Sequence, residues 1–162
     1  MAISVGDRLP EATFSEMGPE GPRQVALGEV AGQGKVVIFA VPGAYTPTCS
    51  SAHVPSLIRT KDRLAEKGVE RILCVSVNDP FVLKAWGEAT GATAAGIRML
   101  ADPASEFTKA IGMNFTAAPP GFFDRSRRYT MLVEDGVVKL LNVEESPGVC
   151  ELSAGETLLD QM

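Results

Sequence analysis

The chain has 162 residues, 45% of them hydrophobic, which is enough to fill the core of one domain and leaves little length for a second. Acidic side chains outnumber basic ones by 20 to 15, a formal charge of -5, which argues against a nucleic-acid or anionic-membrane partner. The basic run Arg125, Arg127, Arg128 is too short for a binding tail, the opening residues carry no secretory pattern, and the longest apolar run (36–42) falls far short of a membrane span.

In chain order, Leu9-Pro10 and residues 12–14 suggest an extended arm, and Gly18, Pro19, Gly21 and Pro22 punctuate a loop. Residues 36–41 are apolar on both faces and rich in β-branched side chains, the pattern of a buried strand, which Pro42-Gly43 ends. The spacing of Val54, Leu57, Ile58, Lys61, Leu64 and Ala65 then predicts a helix over 48–67, stopped by Gly68. Pro55 is too deep for a first turn of that helix and predicts a kink. Residues 72–77 form a second buried strand, closed by Asn78-Asp79-Pro80, and 81–90 a helix that Gly91 terminates. A short strand over 97–100 precedes a helix over 104–111, with Asp102 as its cap and Pro103 at its first position. Residues 114–128, carrying Pro119-Pro120-Gly121, read as a loop. Strands over 129–134 and 137–143 flank Asp135-Gly136, the strongest hairpin signal in the chain, and a last helix covers 154–161.

The order β-α-β-α-β-α-β-β-α predicts one α/β domain over residues 1–162. Its central sheet is mostly parallel, flanked by helices, with an antiparallel C-terminal hairpin. A thioredoxin-like fold has this logic, and so do other three-layer folds.

Three cysteines are an odd number in a chain large enough to fold without staples, so a reducing, cytoplasmic-type compartment and at least one free thiol are expected. Cys49 lies just after a buried strand and just inside a helix start. There, unpaired N–H groups and the positive end of the helix would lower its pKa and make it a nucleophile. Cys74 sits mid-strand and reads as a small buried hydrophobe. Cys150 follows Ser146-Pro147-Gly148 in a loop, where exposure makes it a possible disulfide partner for Cys49. His53, four residues after Cys49, permits a Cys–His pair, half of a metal site, or a polar contact near the helix start. The chain contains no Cys-x-x-Cys and no phosphate-binding glycine loop.

Residues 42–50, Pro-Gly-Ala-Tyr-Thr-Pro-Thr-Cys-Ser, resemble the peroxidatic motif Pro-x-x-x-Thr-x-x-Cys of peroxiredoxins of the atypical, plant type II group, filled here by Pro42, Thr46 and Cys49. Similarity extends through Ser50-Ser51-Ala52-His53-Val54-Pro55, the segment from Val75 through Asn78-Asp79-Pro80-Phe81, and Arg127-Arg128-Tyr129. The resemblance implies a thioredoxin-like fold and reduction of hydrogen peroxide and alkyl hydroperoxides through a sulfenic acid at Cys49. It also implies that Thr46 hydrogen-bonds the thiolate or peroxide, that Pro42 shields the pocket, and that Arg128 rather than Arg127 stands beside the sulfur. No metal, flavin or haem is needed for that chemistry. The resemblance further implies a homodimer, with Phe81 and the Tyr45–Pro47 loop near the interface. The short loop before the last helix is similar to that of members recycled by glutathione and glutaredoxin. Thioredoxin, with Cys150 as resolving cysteine, is the runner-up, and Cys74 matches a second cysteine position of the family. Two readings compete with an enzyme of this kind: a redox-sensor or interaction domain, and a cysteine hydrolase using His53.

Overall fold

The computed structural model describes residues 2–146 and 148–162, with Cys49 described through its backbone alone. A hairpin of β1 (Thr13–Gly18) and β2 (Gly21–Ala26) leads through the one-turn α1 (Leu27–Ala31) into β3 (Lys35–Val41). A π-helical turn over Cys49–His53 passes into α2 (Val54–Glu66), followed by β4 (Val69–Ser76), α3 (Pro80–Thr90), β5 (Arg98–Ala101) and α4 (Glu106–Ala110). The chain ends with β6 (Asn114–Ala117), β7 (Phe122–Ser126), β8 (Tyr129–Glu134), β9 (Val137–Val143) and α5 (Gly155–Gln161).

Seven strands form one sheet in the order β2-β1-β5-β4-β3-β8-β9, the α/β class that the pattern predicts and the thioredoxin-like arrangement that the resemblance implies. Its centre, β5-β4-β3, is parallel, and the β8–β9 hairpin lies antiparallel against β3. The apolar run of β3 is explained by burial on both faces. Val36, Ile38 and Ala40 pack with Phe14, Phe107 and Met131 on one side, while Val37, Phe39 and Val41 pack with Leu57, Trp86 and Leu158 on the other. Because β3 lies near the middle of the sheet, its C-terminal end is a fixed platform for the loop that follows. Among the described residues, no helix is long and apolar enough to cross a membrane.

Four local expectations are corrected. The N-terminal arm is a hairpin whose turn brings Gly18 opposite Gly21, and Pro22 is tolerated because β2 is the edge strand. Residues 114–128 are not a loop throughout. β6 and β7 pair as a separate two-stranded sheet, with Pro119-Pro120-Gly121 in its turn and Gly121 at φ +78°. Pro55 produces no kink within a longer α-helix, because the π turn ends first and leaves Pro55 in the first turn of α2, where its missing N–H costs nothing. Pro103 precedes α4 rather than opening it. Ser105, at φ 59°, is the residue before the helix, and Asp102 caps it from further back by accepting from the backbone N–H groups of Phe107 (3.3 Å) and Thr108 (2.9 Å). By contrast, α3 stops as expected at Gly91, left-handed at φ 83°, while its start comes one residue earlier than expected, at Pro80, where Asp79 Oδ1 accepts from Val82 N at 2.8 Å.

Candidate active site

The loop leaving β3 is held from three sides. Thr46 Oγ1 donates to Gly43 O at 2.7 Å, and Ala44 N donates to Asn78 Oδ1 at 3.0 Å, so the end of β4 braces the end of β3. From the β6–β7 hairpin, Arg125 Nη1 donates to Pro42 O at 3.0 Å, its guanidinium lying 5.3 Å from the centroid of the Phe122 ring. A Cβ at Gly43 would stand 2.3 Å from that Nη1, so any larger residue there would displace the Arg125 guanidinium from this position. Pro42 is buried, Thr46 half-buried and Tyr45 exposed, with Tyr45 in the left-handed region at φ 66°.

Cys49 opens the π turn, and the next residue continues the turn by donating from Ser50 N to Thr46 O at 3.2 Å. The Cys49 thiol, the expected nucleophile, lies outside the described residues, as does Pro147 in the loop before Cys150. Ser50 Oγ accepts from Trp86 Nε1 at 3.0 Å, placing the chain's single tryptophan one residue from the cysteine. Thr48 Oγ1 donates to Gly148 O at 3.0 Å, which ties the same turn to the Cys150 loop.

Behind the turn, the structure brings His53 and Arg128 together. His53 is fully buried, with Nδ1 3.1 Å from Arg128 Nη1 and Nε2 3.0 Å from Thr130 Oγ1 and 3.1 Å from Ser153 O. A guanidinium can only donate, so Nδ1 must accept and Nε2 must carry the hydrogen. Burial, and then the charge of Arg128, lower the imidazole pKa to about 3. The ring is therefore neutral, and both nitrogens are occupied in orienting a buried cation. Of the three roles open to His53, the polar contact is the one the geometry provides. Among the described residues, no group of three or more His, Cys, Asp or Glu could hold a metal ion. Arg128 itself is 1% exposed, whereas Arg127 is half-buried and donates from Nη2 to Glu144 O at 3.3 Å.

The lowered pKa has a consequence for stability. The unfolded chain binds a proton at His53 below pH 6.5 that the native chain refuses until about pH 3. Stability is complete above the unfolded value and falls with acid by about 1.4 kcal/mol per pH unit within that window. Urea midpoints at pH 7 and about pH 5 should differ accordingly, and a His53→Gln protein should flatten the acid limb. An identical acid limb in that variant would contradict the neutral buried ring.

The other two thiols are placed differently. Cys74 is fully buried mid-strand, between Phe39 of β3 and Met99 of β5, as its apolar neighbours predict. Cys150 is half-buried rather than exposed. Burial pushes its thiol up, and its sulfur lies 3.8 Å from Ser153 Oγ. A cleft of about 330 Å3 lies away from these groups, against the Arg98–Glu16 ion pair. Sequence reasoning named His53 but not its pairing with Arg128, and it missed the bracing roles of Arg125 and Asn78. Only Asn78 carried a signal, its place in Asn78-Asp79-Pro80-Phe81.

Residues 4–159 match the Redoxin family model. Peroxiredoxin-2E-2, chloroplastic, of Oryza sativa subsp. japonica is 47% identical over 160 residues, 96% of this chain and 71% of the rice protein. Peroxiredoxin-2C of the same plant is 40% identical over 158 residues, 97% of this chain and 96% of its own length. The reduced Prx3 of Vibrio vulnificus in complex with hydrogen peroxide superposes with a TM-score of 0.89 at 49% identity, covering 98% of both chains. The chain belongs to the redoxin family, as a peroxiredoxin of the type II group.

Proposed function

We propose that the chain reduces hydrogen peroxide and alkyl hydroperoxides through Cys49. Its peroxiredoxin relatives support a thiol-dependent peroxidase. The observation that carries the reading is the buried Arg128, held by a neutral His53 four residues beyond Cys49. In water-poor surroundings such a cation favours a thiolate and steadies charge on a departing oxygen. The thiolate electron pair forms an S–O bond with the terminal peroxide oxygen and the O–O bond breaks. The other oxygen leaves as alkoxide or hydroxide and takes a proton, and Cys49 becomes a sulfenic acid. Thr46, fixed by the Gly43 carbonyl, orients the peroxide or thiolate, and Pro42 keeps bulk water off the sulfur.

For recycling, glutathione with glutaredoxin is favoured. Cys74 is fully buried, and Cys150 is a half-buried, poorly acidic thiol. A glutathione thiolate then attacks the sulfenic sulfur, displacing hydroxide that takes a proton to leave as water, and glutaredoxin removes glutathione from the mixed disulfide. The Thr48–Gly148 hydrogen bond favours the second reading, a thioredoxin-recycled Cys49–Cys150 disulfide, because it brings the two loops together. Exposed Tyr45 (58%) and Phe81 (64%) support a homodimer built over this loop, and a reducing, cytoplasmic-type compartment suits the free-thiol chemistry. The whole chain acts as one thioredoxin-like domain.

Trp86 provides the test. Stopped-flow mixing of reduced protein with peroxide should change its fluorescence within a fast, peroxide-dependent phase. Mass analysis after one equivalent should then find sulfenic or, with glutathione, glutathionylated Cys49. A stoichiometric Cys49–Cys150 disulfide would transfer the assignment to thioredoxin, and a protein inert to peroxide would leave the sensor reading in its place.

A further inference from the structure

The loop between β9 and α5 is organised by one carboxylate. Glu144 is 3% exposed, and its Oε2 accepts from Glu151 N (2.8 Å), Ser153 N (2.6 Å) and Ser153 Oγ (2.7 Å). Burial pushes its carboxyl up, but the donors of Ser153, Glu151 and Leu152 together outweigh burial and hold it below the usual carboxylate range. All three bonds fall on one oxygen, so a carboxamide could keep an acceptor there but would lose the negative charge that strengthens them.

Ser153 has a second connection. Its carbonyl accepts from His53 Nε2 at 3.1 Å and also from Thr130 Oγ1. The path closes on itself. Glu144 N donates to Arg128 O at 2.9 Å, Glu144 binds Ser153, Ser153 binds His53, and His53 binds the Arg128 guanidinium. Arg128 is thus fixed at its backbone and at its side chain through the same acidic residue. If the Ser153 carbonyl moved, the buried Nε2–H would lose one of its two acceptors. A ring protonated on Nδ1 instead would point a donor at a guanidinium that only donates.

We infer that Glu144 is a positioning residue for Arg128, acting through the Ser153 carbonyl to fix the tautomer and ring of His53 and so the place of the guanidinium. The inference rests on the reading that Arg128 serves the Cys49 sulfur. The groups facing His53 are the Arg128 guanidinium, the Thr130 hydroxyl, the Ser153 carbonyl and the edge-on ring of Phe39, centroids 4.9 Å apart. The carboxylate of Glu144 and the thiol of Cys150 reach it only through Ser153.

The chain has one histidine, so imidazole nitrogen NMR reads its state without assignment. Wild-type protein should carry a single tautomer, protonated on Nε2. In Glu144→Gln the ring should exchange between tautomers or begin to titrate in the accessible pH range. Cys49 oxidation should slow by roughly ten- to a hundredfold, the range seen where a ligand loses its outer hydrogen-bond partner. Alkylation of Cys49 against pH should move its thiol pKa upward. Ser153→Ala, which deletes one donor and leaves the carbonyl, should shift the same readouts less, and it decides the matter if Glu144→Gln does not fold. An unchanged tautomer and oxidation rate in the folded variants overturns the inference, as does a wild-type ring protonated on Nδ1. Slow oxidation of wild-type protein would instead sink the peroxidase reading and leave the tautomer result standing.

Discussion

Replacing Cys49 by serine is expected to reduce peroxide consumption to the background of the reagents, with either glutathione and glutaredoxin or thioredoxin as reductant. The reason lies in what remains. A serine hydroxyl is not ionised at neutral pH, so nothing at position 49 can attack the O–O bond. Neither remaining thiol is placed to take over. Cys74 is 0% exposed in a central strand, and the Cys150 thiol is half-buried with its pKa raised. The Trp86 signal should therefore vanish along with turnover, because its hydrogen bond to Ser50 makes it a reporter of this turn and no other. Circular dichroism of the variant would establish that the fold is intact. Fast fluorescence change or peroxide loss in folded Cys49→Ser protein would remove Cys49 from the centre of the mechanism.

Much of this architecture was legible because the signals are short-range and strong. The apolar run of residues 36–41, the Gly91 stop of α3, and the Asp135-Gly136 turn each carry their own physical cause, and each stands in the structure as expected. What escaped was weaker or longer in range. β2 and β6–β7 carry proline, charge or turn residues at the sheet margin, where propensity says loop and only pairing with a neighbour says strand. α1 is a single turn, too short to show a period. The site divides in the same way. Pro42, Thr46 and Cys49 lie within eight residues and form a readable motif. His53 is separated from Arg128, Glu144 and Ser153 by 75 residues or more and meets them only because β3 and β8 are neighbours and α5 folds back beside α2. Histidine spacing alone favoured a polar contact over a thiol partner or a metal, and the buried cation on one nitrogen identifies that contact.

The same buried cation supports the second large effect. Arg128→Met keeps an apolar stem in the pocket and removes the charge and all five donors. Oxidation of Cys49 by peroxide should then fall by ~100- to 1000-fold, the scale of losing one preorganised oxyanion donor. The thiol pKa should rise toward the ordinary ~8.5 as the stabilising charge disappears. Arg128→Lys should fall between the two, since its ammonium restores charge and can still donate to His53 Nδ1, but it lacks the planar fork of donors. His53 responds in the same sense as the thiol, because a nearby cation lowers both pKa values. One of the two causes that lower its pKa is the Arg128 charge, so its value should climb in Arg128→Met while burial keeps it below 6.5. Peroxide kinetics, the alkylation profile of Cys49 and the imidazole signal thus form three linked readouts of one substitution. A folded Arg128→Met protein with wild-type oxidation rate and unchanged thiol pKa would mean that the guanidinium only fills space behind the turn; a joint shift of all three would place its charge in the chemistry.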